Sequence, residues 1–120
     1  MLKERIAAYM IEVRAIDGVE GCALVTKDGI MIGRSFPGEI QERWFAAMTA
    51  SVLASAESAA GIVGLPPPVT VQISSDPGRC VLLHDAGEKV LIASVLAEGA
   101  DPSAIDPQVG EIARRIGEAL

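Results

Sequence analysis

The sequence predicts a single-domain α/β sandwich built on a five-stranded antiparallel sheet. Three observations point there. Apolar residues recur at helical spacing near both ends and along an alanine-rich middle segment. Five short apolar or alternating runs are separated by Asp-Gly, Pro-Gly and Gly-Glu turns. Two of those runs are apolar on both faces, as strands covered above and below must be.

Leu2, Ile6, Met10 and Val13, with Lys3, Glu4, Arg5 and Glu12 between them, make a first amphipathic helix ending near Asp17-Gly18. Val19–Thr26 and Ile30–Ser35 flank Lys27-Asp28-Gly29. Asp and Gly accept the positive φ of a tight turn, so this is a hairpin, closed by Pro37-Gly38. A long helix follows from Ile40 to Gly64, stopped by Pro66-Pro67-Pro68, which lack amides and restrict the residues before them. Val69–Ser74, Cys80–His84 and Lys89–Leu96 are three further strands, with turns at Asp76-Pro77-Gly78-Arg79 and Asp85-Ala86-Gly87-Glu88. The last helix is expected to start at Asp106-Pro107, an acceptor cap followed by proline, with Val109, Ile112, Ala113, Ile116 and Leu120 inward. Val90–Leu96 and Cys22–Val25, apolar on both faces, belong at the centre, while alternating Val69–Ser74 reads as an edge. The spatial order is therefore 2-1-5-4-3, a profilin-like sandwich.

The 120 residues suit one domain, residues 1–120, large enough to bury a core without a disulfide or metal staple. Only Tyr9, Phe36, Trp44 and Phe45 are aromatic, so aliphatic residues and alanine fill the core. Sixteen acids against ten bases argue against nucleic acid and against an anionic membrane surface. The charged start Met1-Leu2-Lys3-Glu4-Arg5 lacks the apolar stretch of a signal peptide, giving a cytoplasmic expectation. Cys22 and Cys80 sit in apolar runs and read as reduced core residues.

The middle helix poses a question. From Trp44 to Ser75 the only ionisable side chain is Glu57. Trp44, Met48, Val52, Ala56 and Val63 make a plausible sheet-packing stripe, leaving Ala47, Ser51, Ala54, Ser58 and Gly61 as a second stripe of small residues. A helix apolar or small all round is buried all round, yet a domain of this size offers no second layer there. The following edge, with Val69, Val71 and Ile73, carries no charge or internal proline to block pairing. A second copy, joined strand to strand and helix to helix about a twofold axis, accounts for both. A membrane span is excluded by Thr49, Ser51, Ser55, Glu57 and Ser58, and the remaining alternative is a core helix with an exposed small face.

Gly18-Val19-Glu20-Gly21-Cys22-Ala23-Leu24-Val25-Thr26-Lys27-Asp28-Gly29-Ile30-Met31-Ile32 resembles the opening hairpin of the roadblock family, which includes dynein light chains and prokaryotic regulators of Ras-like GTPases. The alanine-rich helix, Gly78-Arg79-Cys80-Val81-Leu82-Leu83 and Lys89-Val90-Leu91-Ile92-Ala93-Ser94-Val95 are similar too. The acidic stretch from Glu98 to Ile105 departs from the family's short Asn-Leu-Gly-like connection. The resemblance implies a homodimer with a continuous ten-stranded sheet, paired second helices and a platform for a Ras-like small GTPase. Arg43, Trp44 and Glu57 are then the expected partner-binding residues.

No catalytic, metal or cofactor constellation is legible. Neither Gly-x-x-x-x-Gly-Lys-Ser/Thr nor Gly-x-Gly-x-x-Gly occurs. His84, the one histidine, has no ligand or catalytic partner at suitable spacing and reads as structural or solvent-exposed. Arg34, Arg43 and Arg79 lie at element ends, where one could reach a partner's phosphate, although a solvated turn residue is the plainer reading. A small-ligand sensor or generic interaction domain of the same fold is the alternative function, and it would need a cavity with convergent polar groups.

Overall fold

The computed structural model describes residues 1–120. Helix α1 (Leu2–Arg14), strands β1 (Val19–Thr26) and β2 (Met31–Ser35), helix α2 (Glu42–Ile62), strands β3 (Thr70–Ser75), β4 (Arg79–Asp85) and β5 (Val90–Leu96), and helix α3 (Pro102–Ala119) follow one another. All neighbouring strands are antiparallel, in the order β2-β1-β5-β4-β3. Both the predicted element order and the predicted sheet order are what the chain adopts.

Side chains alternate across the sheet, so each face has its own core. Cys22, Leu24, Leu82, Ile92 and Leu96 meet α1 and α3 in a cluster of eighteen buried residues. Ala23, Val25, Leu83, Leu91 and Ala93 meet α2 in a cluster of only eight. The α2 side is thus the thinner layer, held by few large groups. Gly21 leaves room there for Phe36, whose ring a Cβ at that position would strike.

Two predicted features are corrected. The last helix starts at Pro102, not at Asp106-Pro107. Asp101 is its cap, accepting from the Ser103 amide at 3.0 Å and the Ser103 hydroxyl at 2.7 Å, and these bonds hold its carboxyl below the usual range. The earlier start lets Ile105 extend the buried stripe of Val109, Ile112 and Ile116, while Pro107 sits inside the helix at the loss of one amide donor. The acidic connection after β5 therefore ends at Asp101, since residues 102–105 are already helical.

The second correction concerns which face of α2 packs. Ala46, Thr49, Ala50 and Leu53 are buried on the sheet, joined by half-buried Phe45 and Val52. Trp44, Met48 and Val63, expected inward, are 67 %, 53 % and 69 % exposed. The sheet below offers Ala23 and Ala93, and only a close-lying stripe of small residues with one leucine fills that surface. By length and composition α2 could cross a membrane, but its buried residues are seated on protein.

Candidate functional site

The outer face of α2 is a surface with no charge to hold water. Trp44, Met48, Ser51, Ser55, Ser58 and Ile62 recur at spacings of four and three residues and all are exposed. Of the predicted small stripe, Ser51, Ala54, Ser58 and Gly61 are exposed and Ala47 is half-buried. The Ser51 hydroxyl donates to the Ala47 carbonyl at 2.9 Å, so it needs no outside partner.

The α2 side of the sheet is open towards β3 as well. Val71 lies opposite Leu83, and Ile73 opposite Val81, which in turn lies opposite Val95. These side chains share the α2 face, yet Ile73 remains 39 % exposed, and Val71, Val81 and Val95 are only half covered. Val69, just before β3, is 61 % exposed. One helix does not span five strands, so the β3 side of this face stays open.

The backbone edge is open as well. The Asp85 amide donates to the Val69 carbonyl at 2.8 Å. With the β3–β4 register, this makes Val69, Val71 and Ile73 the residues whose amides and carbonyls turn towards β4. Thr70, Gln72 and Ser74 turn theirs outward. The residues predicted for the edge thus contribute apolar side chains, while their neighbours contribute the free backbone.

The predicted partner-binding residues do not form one site. Arg43 and Trp44 are adjacent and exposed at the start of α2, beside exposed Ile30 and a groove of about 440 Å³ lined by Gly29, Ile30, Met31, Glu42, Arg43 and Ala47. Glu57 is half-buried and lies about 21 Å further along the helix axis. Among the three arginines, Arg34 is held by Glu42 at 2.6 Å and the Gly38 carbonyl at 2.7 Å, and lies over the Phe36 ring. Arg79 donates to Glu20 and to the Leu96 carbonyl. Arg43 alone of the three makes no side-chain hydrogen bond.

One polar cluster was invisible in the sequence. His84 is buried, with its Nδ1 3.0 Å from Asp106 Oδ1, and the Thr70 hydroxyl donates to the same oxygen at 3.2 Å. Gly110 leaves the space the ring occupies. The three residues sit on β3, β4 and α3, so only the fold brings them together. The arrangement fastens α3 to the β3 side of the sheet. A neighbouring groove of about 540 Å³ is lined by Glu88, Lys89, Arg114, Gly117 and Glu118 among others, but Arg114 is committed to Glu111 and Glu118.

Both cysteines are reduced and buried. Burial pushes the Cys22 thiol up to about 11 against the opposing pull of Arg14, and raises Cys80 as well. They lie on β1 and β4 with β5 between them, about 10 Å apart at the least, which is beyond disulfide reach.

Comparison with known proteins matches residues 11–96 to the model of a family described as the Roadblock/LC7 domain. The chain is 30 % identical over 92 residues to the uncharacterized protein MJ0714 of Methanocaldococcus jannaschii, covering 77 % of each. Among solved structures it is similar to Myxococcus xanthus MglB, with a TM-score of 0.88 at 14 % identity, covering 98 % of this chain and 88 % of that one. It is also similar to Acanthamoeba castellanii profilin II, with a TM-score of 0.68 at 17 % identity, covering 95 % and 98 %.

Proposed function

Because the chain belongs to the Roadblock/LC7 domain family, we propose that it acts as a homodimeric, non-catalytic platform. In this reading it binds a Ras-like small GTPase and modulates that partner's nucleotide cycle or localisation. The observation that carries the reading is the uncharged outer stripe of α2 together with the open, unprotected β3 edge. A second copy covers both at once. The partner GTPase then engages residues left outside that contact, with Arg43 and the neighbouring Ile30 groove as the first candidates. The chain itself brings no phosphate-cradling loop.

The mode of action is testable through the arginines. An arginine supplied in trans stabilises the transition-state charge, and its loss costs roughly 10³-fold or more in the stimulated rate. Reshaping of the partner's own switch loops needs no such group. Arg34 and Arg79 are already bonded within the chain, which leaves Arg43 as the free candidate. Arg34→Ala, Arg43→Ala and Arg79→Ala are each expected to keep most of the stimulation in single-turnover GTP hydrolysis by the GTPase captured on the purified dimer. A thousandfold loss in a variant that still binds overturns the non-catalytic reading, and recovery of no GTPase removes the platform.

A further inference from the structure

The groove of about 540 Å³ beside α3 runs between that helix and the β4–β5 turn, and no residue of α2 lines it. Its volume is that of a small-ligand site. Three glycines make the space: Gly87 in the turn, at φ +99°, and Gly110 and Gly117 on α3. Glycine is a poor helix former, so what the two on α3 contribute is the room they leave. A Cβ on Gly110 would stand 3.3 Å from His84 Cε1 and 3.4 Å from Nε2, against the ring edge that faces the helix.

His84 supplies the polar wall. Its side chain is only 7 % exposed, and its Nδ1 lies 3.0 Å from Asp106 Oδ1. A carboxylate only accepts, so the bonded nitrogen carries the proton, and the lone pair of a singly protonated ring falls on Nε2. Nε2 has no partner within the chain and is not sealed from solvent. His84 and Gly110 both line the groove, so the lone pair opens into it. No three metal-ligating side chains converge there, which leaves the lone pair to a hydrogen-bond donor.

The charges around the groove sort by their partners. Asp85 is paired with Lys27 at 2.6 Å, and Arg114 with Glu111 and Glu118. Glu88 and Lys89, adjacent in the turn, are exposed and make no ion pair. The unengaged groups are therefore one lone pair, one carboxylate and one ammonium. Their complement is a small molecule with N–H donors, a positive charge and a carboxylate, and Ala113 and Leu120 add apolar contact for a side chain.

We propose that this groove binds a free α-amino acid, its ammonium donating to His84 Nε2 beside Glu88 and its carboxylate meeting Lys89. The site is separate from the platform, so either stands without the other.

Nuclear magnetic resonance on the whole chain tests it. The common L-amino acids are titrated at millimolar concentration, and the amide signals of Gly87, Gly110 and Gly117 read the groove directly. At least one amino acid is expected to shift all three and to saturate. Its trimethylated betaine keeps both charges but has no N–H for Nε2, and is expected to bind roughly tenfold or more weakly. The matching amine without the carboxylate, and the matching acid without the ammonium, should fall short as well. Gly110→Ala sets a methyl group against Nε2 in a helix that favours alanine, so it should lose the binding while circular dichroism stays unchanged. Lys89→Met and Glu88→Gln, at exposed positions, should each weaken binding and leave the fold intact. No saturable shift with any amino acid, equal binding of the betaine, or full affinity in all three variants overturns the site. An amine or an acid alone that binds as tightly as the amino acid overturns the zwitterion as its ligand.

Discussion

Ser51→Arg is expected to turn a dimer into a monomer without harming the fold. Ser51 is exposed in the single chain and sits on the outer face of a helix, where arginine is a good helix former. In the proposed homodimer it lies between the paired helices, where a guanidinium meets no carboxylate of the exposed outer stripe, because the one ionisable residue between Trp44 and Ser75 is the half-buried Glu57. Leaving a buried charge unpaired costs about 3–5 kcal/mol, which weakens dimerisation by roughly 10²–10³-fold or more. Sedimentation or light scattering at micromolar concentration reads the change, and circular dichroism should show the helical content intact. A variant that dimerises as well as the parent sinks the assignment of this face.

Leu53→Ala, two residues away on the opposite face, is expected to do the reverse. Leu53 is fully buried and is the largest side chain that α2 buries completely on the sheet, in a cluster with Val25, Leu83 and Leu91 and with Ala23, Ala46, Ala50 and Ala93. Half of that cluster is alanine, which has no reach with which to close the space. The loss of transfer energy plus the residual cavity costs about 2–5 kcal/mol. In a domain of this length that lowers the unfolding midpoint by roughly 10 °C or more. Thermal unfolding checks it, and a shift of a degree or two would mean that α2 is held chiefly by something other than Leu53. Together the two substitutions separate the helix's internal role from its external one.

The sheet was legible because its signals are redundant. Val90–Leu96 and Cys22–Val25 are apolar on both faces, and Asp28-Gly29 marks the hairpin, so strand order followed from composition. The α3 boundary was harder because Asp101-Pro102 and Asp106-Pro107 are equally good cap signals. The choice falls to tertiary contacts, since the Asp106 carboxylate is taken by Thr70 and His84. The orientation of α2 was misread for a different reason. With Glu57 its only charge after Arg43, the helix has little polar contrast to tell inside from outside, and bulk suggested that Trp44 and Met48 point inward. The sheet face already carries Val25, Leu83 and Leu91 beside Ala23 and Ala93, so small residues with one leucine complete it and bulk was the wrong guide. The small stripe was still placed outside, because Ser51 and Ser58 are poor core residues whichever way the helix turns. His84 and Asp106 lie 22 residues apart on different elements, and no spacing rule joins them.

The alternation of backbone bonding along β3 also has a consequence for motion. The amides of Val71 and Ile73 are engaged with β4, whereas those of Thr70, Gln72 and Ser74 face water when the chain is alone. Amide hydrogen exchange in an isolated copy therefore alternates between slow and fast, residue by residue, along one strand. Any fraying of β3 from β4 speeds the slow residues, while any strand added from outside slows only the fast ones. Internal loosening and external capture thus leave different signatures on neighbouring residues. The strand distinguishes a loss of its own stability from the arrival of a partner.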